Sequence, residues 1–406
     1  MKSICSRDLC SACWACREVC PKGCIDIEYD ELAVPYPLID NSRCVDCGLC
    51  KKICPNNSEV TFRFPKKVYA AWSKDADIRS TSASGGIATE LYQLFLKDGG
   101  LAAGVVLNGE CDAKYVVLDR HSDLSSVRNS KYTYSDSDGI YTKLRAYLDA
   151  GIDVLFIGLP CQVAALLKFL RKTYSNLTTV DIICHGVAPA EYLKQHVRHI
   201  ESEQNKSASR CLFRDPRYKT HQFIFSLYDK DGRCFYHKRV ASNDLYQLGY
   251  HKALIYRENC YRCKYARNER CSDLTIGDFS GLGRLEQCDF NNINVSCLMA
   301  NTLKGEQVVE LLSSTVELYS RPVREALDYE RQLNAPSSRH PNREGFKSLF
   351  KQTGNFVASA GETLKQEIRN SDLPPDFLKV AFRSFIGSIL PERVKRFIKK
   401  IRGNGK

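Results

Sequence analysis

Two runs of cysteine open the chain. The first is Cys10-x2-Cys13-x2-Cys16-x3-Cys20-Pro21 and the second is Cys44-x2-Cys47-x2-Cys50-x3-Cys54-Pro55. Three thiolates two residues apart lie on one tight loop and can hold three corners of an iron–sulfur cube. The fourth sits on the helical turn that follows and points the other way, toward a second cube. The spacing therefore assigns Cys10, Cys13, Cys16 and Cys54 to one 4Fe-4S cluster, and Cys44, Cys47, Cys50 and Cys20 to another. A pair of zinc sites is the competing chemistry, but zinc uses two pairs of ligands rather than a 2-2-3 run closed by proline. Two such cubes pass single electrons, usually at low potential. Cys5 and Cys24 lie near the runs and read as packing thiols rather than ligands.

The wider cysteine usage agrees. The chain of 406 residues has 20 cysteines and only two methionines, and ten of the cysteines fall in the first 54 residues. A reducing compartment keeps that many thiols from pairing as disulfides, so ligation is the better reading. No apolar run approaches the ~18 residues of a membrane span. The N-terminus has no basic segment followed by an apolar one, and a cytoplasmic protein is expected. With 43% apolar and 26% charged residues the chain is globular rather than disordered. Its formal charge of +12 favours an acidic partner, a nucleotide or an anionic surface. Neither a Ser-His-Asp pattern, HExxH nor a phosphate loop of the Walker type is present. No helix-turn-helix or aromatic-basic RNA motif supports nucleic-acid binding.

The elements that must position this chemistry fall into blocks. Residues 1–60 form a small ferredoxin-like dicluster domain whose thin core needs metal to hold it, and Thr61–Lys67 reads as a linker. From Val68 strands and helices alternate: strands at Val68–Ala71, Leu101–Leu107, Tyr115–Leu118, Val154–Ile157 and Thr179–Ile183, with helices at Ile87–Lys97, Ile140–Asp149 and Val163–Lys172. That rhythm predicts a larger mixed α/β domain over 68–343, its sheet covered on both faces. Cys211–Phe213, Phe223–Tyr228 and Cys234–His237, with an Asp231-Gly232 turn, predict an antiparallel β insertion. Regular texture weakens after Gln332, and 344–406 reads as a C-terminal extension. Its end, Pro391–Lys406, carries seven Lys or Arg against one Glu, and Val394, Phe397, Ile398 and Ile401 recur at helical spacing. The expectation is a basic amphipathic helix, either a solvated packing latch or a peripheral membrane or acidic-partner contact.

Four features of the larger block occur together: Ser80-Thr-Ser-Ala-Ser-Gly-Gly-Ile87, Gly158-Leu-Pro-Cys161-Gln162, Cys184-His185-Gly186, and Cys260-x2-Cys263 followed by Asp273-Leu-Thr-Ile-Gly-Asp278-Phe. Cys161 and Cys184 each follow an expected strand and precede a helix. Such strand ends share a crevice in an open α/β sheet, so these two thiols with Cys260 and Cys263 predict a third four-cysteine cage. Simple burial of Cys161 and Cys184 is the alternative. Cys271 is a possible substitute ligand, and Cys111, Cys211, Cys234, Cys288 and Cys297 read as structural. Ser84, Gly85 and Gly86 precede the helix at Ile87, where first-turn amides favour phosphate.

As a set, these motifs resemble the family of beta subunits of coenzyme F(420) hydrogenases and dehydrogenases, from about Val68 to Arg343, with the dicluster module as a common addition. The resemblance implies a flavoprotein with an iron–sulfur cluster beside FAD. It implies flavin contacts at Ser84, Gly85 and Gly86 and at Lys131 and Tyr132 of Arg128-Asn-Ser-Lys131-Tyr132, where a solvated loop is the competing reading. It places Asn243-Asp-x-Tyr246 and Arg257 around the cluster and cleft, and His185 at the cluster or as an ordinary structural histidine. The expected activity is an oxidoreductase passing electrons between a one-electron carrier, such as a ferredoxin-like redox partner, and a two-electron acceptor or donor. That second agent would be a small-molecule substrate or a deazaflavin- or nicotinamide-type coenzyme. The expected route runs through the dicluster module, the third cluster and FAD, in either direction. The alternative is an electron-relay subunit of a larger redox complex with no substrate site of its own.

Overall fold

The computed structural model describes residues 3–240 and 244–372. In the N-terminal module, β1 (Ile25–Tyr29) and β2 (Pro35–Ile39) pair antiparallel, with Ile25 opposite Ile39. The Asp30 carboxylate closes the hairpin by accepting the Leu32 and Val34 amides at 2.9 and 2.8 Å. Each cysteine run contains a very short helix, Ala15–Glu18 with Cys16 in the first and Leu49–Ile53 with Cys50 in the second.

The larger unit is built on nine strands. In chain order they are β3 (Lys67–Ser73), β4 (Leu101–Leu107), β5 (Ala113–Leu118), β6 (Ser135–Asp136), β7 (Val154–Gly158) and β8 (Leu177–Ile182). After the insertion of β9 (Arg210–Leu212), β10 (Ile224–Tyr228) and β11 (Cys234–Arg239) come β12 (Leu274–Asp278), β13 (Ser296–Ala300) and β14 (Val316–Arg321). The sheet order is β14-β3-β13-β12-β8-β7-β4-β5-β6. Its centre, β12-β8-β7-β4, is parallel, and most of its flanks are antiparallel. Alternation along β7 shows why both faces are covered. Val154 and Phe156 pack with helices Ile140–Asp149 and Pro160–Leu170. Leu155 and Ile157 pack with helices Ile87–Lys97 and Leu303–Leu312. A parallel strand buried on both sides reads as a continuous apolar run, which Val154–Ile157 does.

The expected insertion is present as an antiparallel β11-β10-β9 sheet. Its Phe213 and Phe225 join Tyr192, Tyr246, Phe346 and Phe356 in an aromatic core. The last two come from beyond the point where regular texture was expected to weaken. Helices Arg343–Thr353, Phe356–Thr363 and Lys365–Asp372 follow, and the first two pack their aromatic rings around Tyr192. Gly354, at φ +61°, makes the corner between them. The basic segment Pro391–Lys406 lies outside the described residues. Among the described residues no helix is long and apolar enough to cross a membrane.

The linker is strapped down. Arg63 and Arg270 exchange backbone hydrogen bonds at 2.9 and 2.8 Å, and the Lys66 amide donates to the Ala300 carbonyl. Apolar residues of the module, among them Ala15 and Ile53, share one core with Val163 and Leu166 of the larger unit. Glu18 reaches across to accept the Thr142 amide at 2.7 Å, at the start of helix Ile140–Asp149. A carboxylate there answers the helix dipole and an amide that has no partner within the helix.

Candidate functional site

Left-handed residues bend both cysteine runs. Ala12 and Trp14 have φ of 48° and 57°; Asp46 and Gly48, at the matching places of the second run, have 52° and 71°. Each run thereby curls around its own thiols. Cys10, Cys13, Cys16 and Cys54 line one space and Cys20, Cys44, Cys47 and Cys50 line the other, so the fourth thiol of each run joins the other run's cage. Cys5 and Cys24 line these same two spaces; they pack, but against sulfur. Burial pushes the Cys13 thiol up to about 12. Cys10 is held down to about 6 by its hydrogen bond with Cys5 and, against burial, by the Arg257 guanidinium. Thiols that are protonated when metal-free release protons as they take up iron.

A larger cavity of about 270 Å³ opens where β7 and β8 end, and Cys161, Cys184, Cys260 and Cys263 all line it. Cys161 is the second residue of helix Pro160–Leu170. Cys184 lies two residues past β8. Cys260 and Cys263 lie on and just after the 3-10 turn Glu258–Arg262. Gly186 lets this wall close: a Cβ there would stand 2.4 Å from the Tyr256 ring, and its φ of +151° lies outside the range L residues readily adopt. Burial first, and then the neighbouring thiols, push Cys161 and Cys184 up. Burial raises Cys260 to about 11 against the pull of Arg257. Cys271 is not on the wall; its thiol turns to the Pro160 carbonyl at 3.5 Å. Among the described residues no three His, Cys, Asp or Glu side chains gather closely enough to bind a single ion. A cube sits between its four thiolates, so these stand further apart than the ligands of one ion.

The wall is basic. Arg257, Arg262, Lys264 and Arg270 line the cavity and, among the described residues, no Asp or Glu does. Arg270 is buried and paired with Asp181 at 2.9 Å, and Arg262 pairs with Asp8. Arg257, 2% exposed, pairs with no carboxylate among the described residues: its guanidinium donates to the Ser11 carbonyl at 2.8 Å and the Cys10 carbonyl at 3.1 Å, and lies over the Tyr134 ring. The Tyr134 hydroxyl donates to the Ala12 carbonyl at 2.9 Å, and Ser137 to that of Cys13 at 3.0 Å. The cavity thus abuts the loop of the first cage. Sequence reasoning missed Arg262, Lys264 and Arg270, although five cations within 257–270 flanking Cys260 and Cys263 were there to read.

The expected flavin contacts lie at the same edge of the sheet. Gly85 is wedged against the backbone: a Cβ would stand 2.2 Å from the Ala71 carbonyl oxygen. Its amide donates to Ser296 Oγ at 2.8 Å, and Ser84 Oγ donates to the Val295 carbonyl at 2.9 Å. Gly86, at φ +89°, caps helix Ile87–Lys97. Lys131 Nζ is held by the carbonyls of Val127, Arg128 and Asn129 at 2.8–3.2 Å, while burial pulls its pKa to about 7. Tyr132 stacks on Tyr250, with ring centroids 4.8 Å apart. Arg128 donates to Thr81 at 2.6 Å, and beside that contact Ser82 Oγ and Arg128 Nε are buried without a hydrogen-bond partner. Buried polar atoms left open are the kind a ligand satisfies. His185 lines the four-cysteine cavity, and burial lowers its pKa. Of Asn243-Asp-x-Tyr246, Asn243 is outside the described residues. Asp244 and Tyr246 are fully buried, Asp244 bonding His196 at 2.8 Å and the Tyr246 hydroxyl donating to the Tyr132 carbonyl.

Comparison with known proteins gives this arrangement a family. Residues 68–140 match the N-terminal model, and 152–325 the C-terminal model, of the coenzyme F420 hydrogenase/dehydrogenase beta subunit; residues 9–58 match a 4Fe-4S dicluster domain. The chain belongs to the family of coenzyme F420 hydrogenase/dehydrogenase beta subunits and carries an N-terminal iron–sulfur dicluster domain. It is 28% identical over 198 residues to a subunit of the F(420)H(2) dehydrogenase of Methanosarcina mazei, a match over 45% of this chain and 54% of that one. It is 30% identical over 182 residues to the coenzyme F420-dependent sulfite reductase of Methanocaldococcus jannaschii, over 43% of this chain and 27% of that one. The chain thus spans about half of the first relative and about a quarter of the second. The F420-reducing [NiFe] hydrogenase complex of Methanosarcina barkeri contains a chain that aligns at a TM-score of 0.44 and 18% identity, covering 75% of this chain and 92% of that one. The protein is an iron–sulfur member of an oxidoreductase family.

Proposed function

We propose that the chain is an iron–sulfur flavoprotein oxidoreductase with three 4Fe-4S clusters and FAD, exchanging electrons between a one-electron carrier and a two-electron substrate or coenzyme. The observation that carries this is the lining of one cavity by Cys161, Cys184, Cys260 and Cys263, directly against the loop of the first cage. The donor set fits a cube: four thiols, no carboxylate among the described residues of the wall, and cations that offset the net negative charge of a thiolate-bound cluster. Cys10, Cys13, Cys16 and Cys54, and Cys20, Cys44, Cys47 and Cys50, hold the two clusters of the module.

Flavin takes a hydride or two single electrons and a cube takes one at a time, so a chain holding both converts between the two. Ser84, Gly85 and Gly86, with the open Ser82 and Arg128 atoms, would hold the flavin's polar groups, and Tyr132 would border it. The relatives' names tie them to coenzyme F420. A net charge of +12 suits that anionic deazaflavin and equally an acidic electron carrier, so the coenzyme and a redox partner protein both belong to the proposal.

The relay reading keeps one observation in its favour: the Gly85 amide and the Lys131 ammonium already have partners. Anaerobic reconstitution followed by iron, sulfide and flavin quantification separates the two. Three clusters and one flavin per chain is the expected result. Three clusters without flavin would give the relay reading, and two clusters would remove the third cage.

A further inference from the structure

Each cage of the dicluster module holds five thiols, and a cube takes four. The fifth is Cys5 in the first cage and Cys24 in the second. Cys24 is 2% exposed and its Sγ lies 3.4 Å from that of Cys20. It also lines the same space as Cys44. Cys5 lines one space with Cys10 and Cys54, and the Asn56 side-chain amide approaches its sulfur at 4.0 Å. In both cages, then, the extra thiol shares its space with the first cysteine of one run and the fourth of the other. The sequence reaches that position by different routes: Cys5 precedes its run by five residues, whereas Cys24 follows Cys20 by four. A packing role alone would be met by an apolar side chain and gives no reason for sulfur to recur at equivalent places.

A thiol that is not a ligand keeps its proton. Among the described residues, the groups placed to accept that proton are the ligand sulfurs. Hydrogen bonds to ligand sulfur draw electron density from a cluster, favour its more negative reduced form and so raise its potential. We propose that Cys5 and Cys24 are S–H donors to the two clusters, Cys5 to Cys10 and Cys54 and Cys24 to Cys20 and Cys44, and that each sets the potential of its own cluster. With the electron supplied by a one-electron carrier, the added charge would fall on the cube and the donor proton would stay on Cys5 or Cys24. The inference rests on the ligand assignment for the two N-terminal clusters and needs neither the third cluster nor FAD.

The test is a redox titration of the full-length, anaerobically purified chain, followed by EPR, with iron and sulfide measured alongside. Cys24→Ala is expected to keep its iron and to shift one midpoint to more negative potential; Cys5→Ala shifts the other. Cys24→Ser and Cys5→Ser, which retain a donor, recover part of each shift. An exchangeable proton coupled to the reduced cluster, seen by ENDOR after transfer to D2O, is lost in the alanine variants. Unmoved midpoints, or equal shifts in the alanine and serine variants, would overturn the proposal. So would iron loss in an alanine variant that serine does not restore, since that marks a structural thiol or a ligand. Cys20→Ser and Cys54→Ser test the assignment separately: each must cost one cluster, whatever the fifth thiols do.

Discussion

Single side chains decide whether the metal chemistry assembles. Cys13 belongs to the cage that touches the larger unit and Cys47 to the outer one, where it is exposed. Cys13→Ser or Cys47→Ser should each abolish reduction by a one-electron donor while flavin stays bound; equal loss of flavin in either variant would refute the modular picture. Gly85 is the sharpest steric constraint at the sheet edge. Because a Cβ would meet the Ala71 carbonyl oxygen at 2.2 Å and the Ser296 nitrogen at 2.9 Å, Gly85→Ala should cost about 3 kcal/mol or more. Gly361, in helix Phe356–Thr363 with nothing within 4 Å, should tolerate alanine and gain up to about 1 kcal/mol. Chemical denaturation of the two variants gives the comparison. At this scale the sequence was highly legible: the grouping of eight cysteines around two spaces followed from spacing alone. That Cys5 and Cys24 would share those two spaces with the runs was not, because proximity between sulfurs depends on how two loops fold back, and spacing carries no trace of that.

Elements join the parts. The segment 257–263 places Arg257 on the first cage and Cys260 and Cys263 on the cavity, and it is pinned by the Arg257 amide to the Val187 carbonyl. Arg257→Met removes two charge-assisted hydrogen bonds and leaves the carbonyls of Cys10 and Ser11 without their donor. A loss of about 2–4 kcal/mol is expected, read as a lower denaturant midpoint for cluster absorbance, with Arg257→Lys recovering part of it. Strands and helices of the parallel centre were readable because burial on both faces makes β7 and its neighbours uniformly apolar. Helix Arg343–Thr353 was harder to read: only Phe346, Leu349 and Phe350 mark its apolar side in an otherwise polar segment, and the partner that makes them a core, Tyr192, is distant in sequence.

At the scale of the whole molecule, the described residues form two units with unequal means of support. The larger has a nine-stranded sheet packed on both faces; the module has a hairpin, two very short helices and its cages. Iron removal by an anaerobic chelator should therefore expose 3–60 to protease and leave a resistant fragment starting near residue 61, whereas a uniformly resistant apo chain would show that the module's core suffices without metal. The order of the two units was legible in the sequence, but their docking was not, since main-chain carbonyls offered to Arg257, Tyr134 and Ser137 leave no mark in residue identity.

That docking has a consequence for how the molecule works. The inner cage is gripped by its own backbone, at Cys10, Ser11, Ala12 and Cys13, by side chains rooted in the larger unit. The wiring is soldered rather than hinged: no swinging arm has to travel between stations, and internal throughput should be indifferent to solvent viscosity.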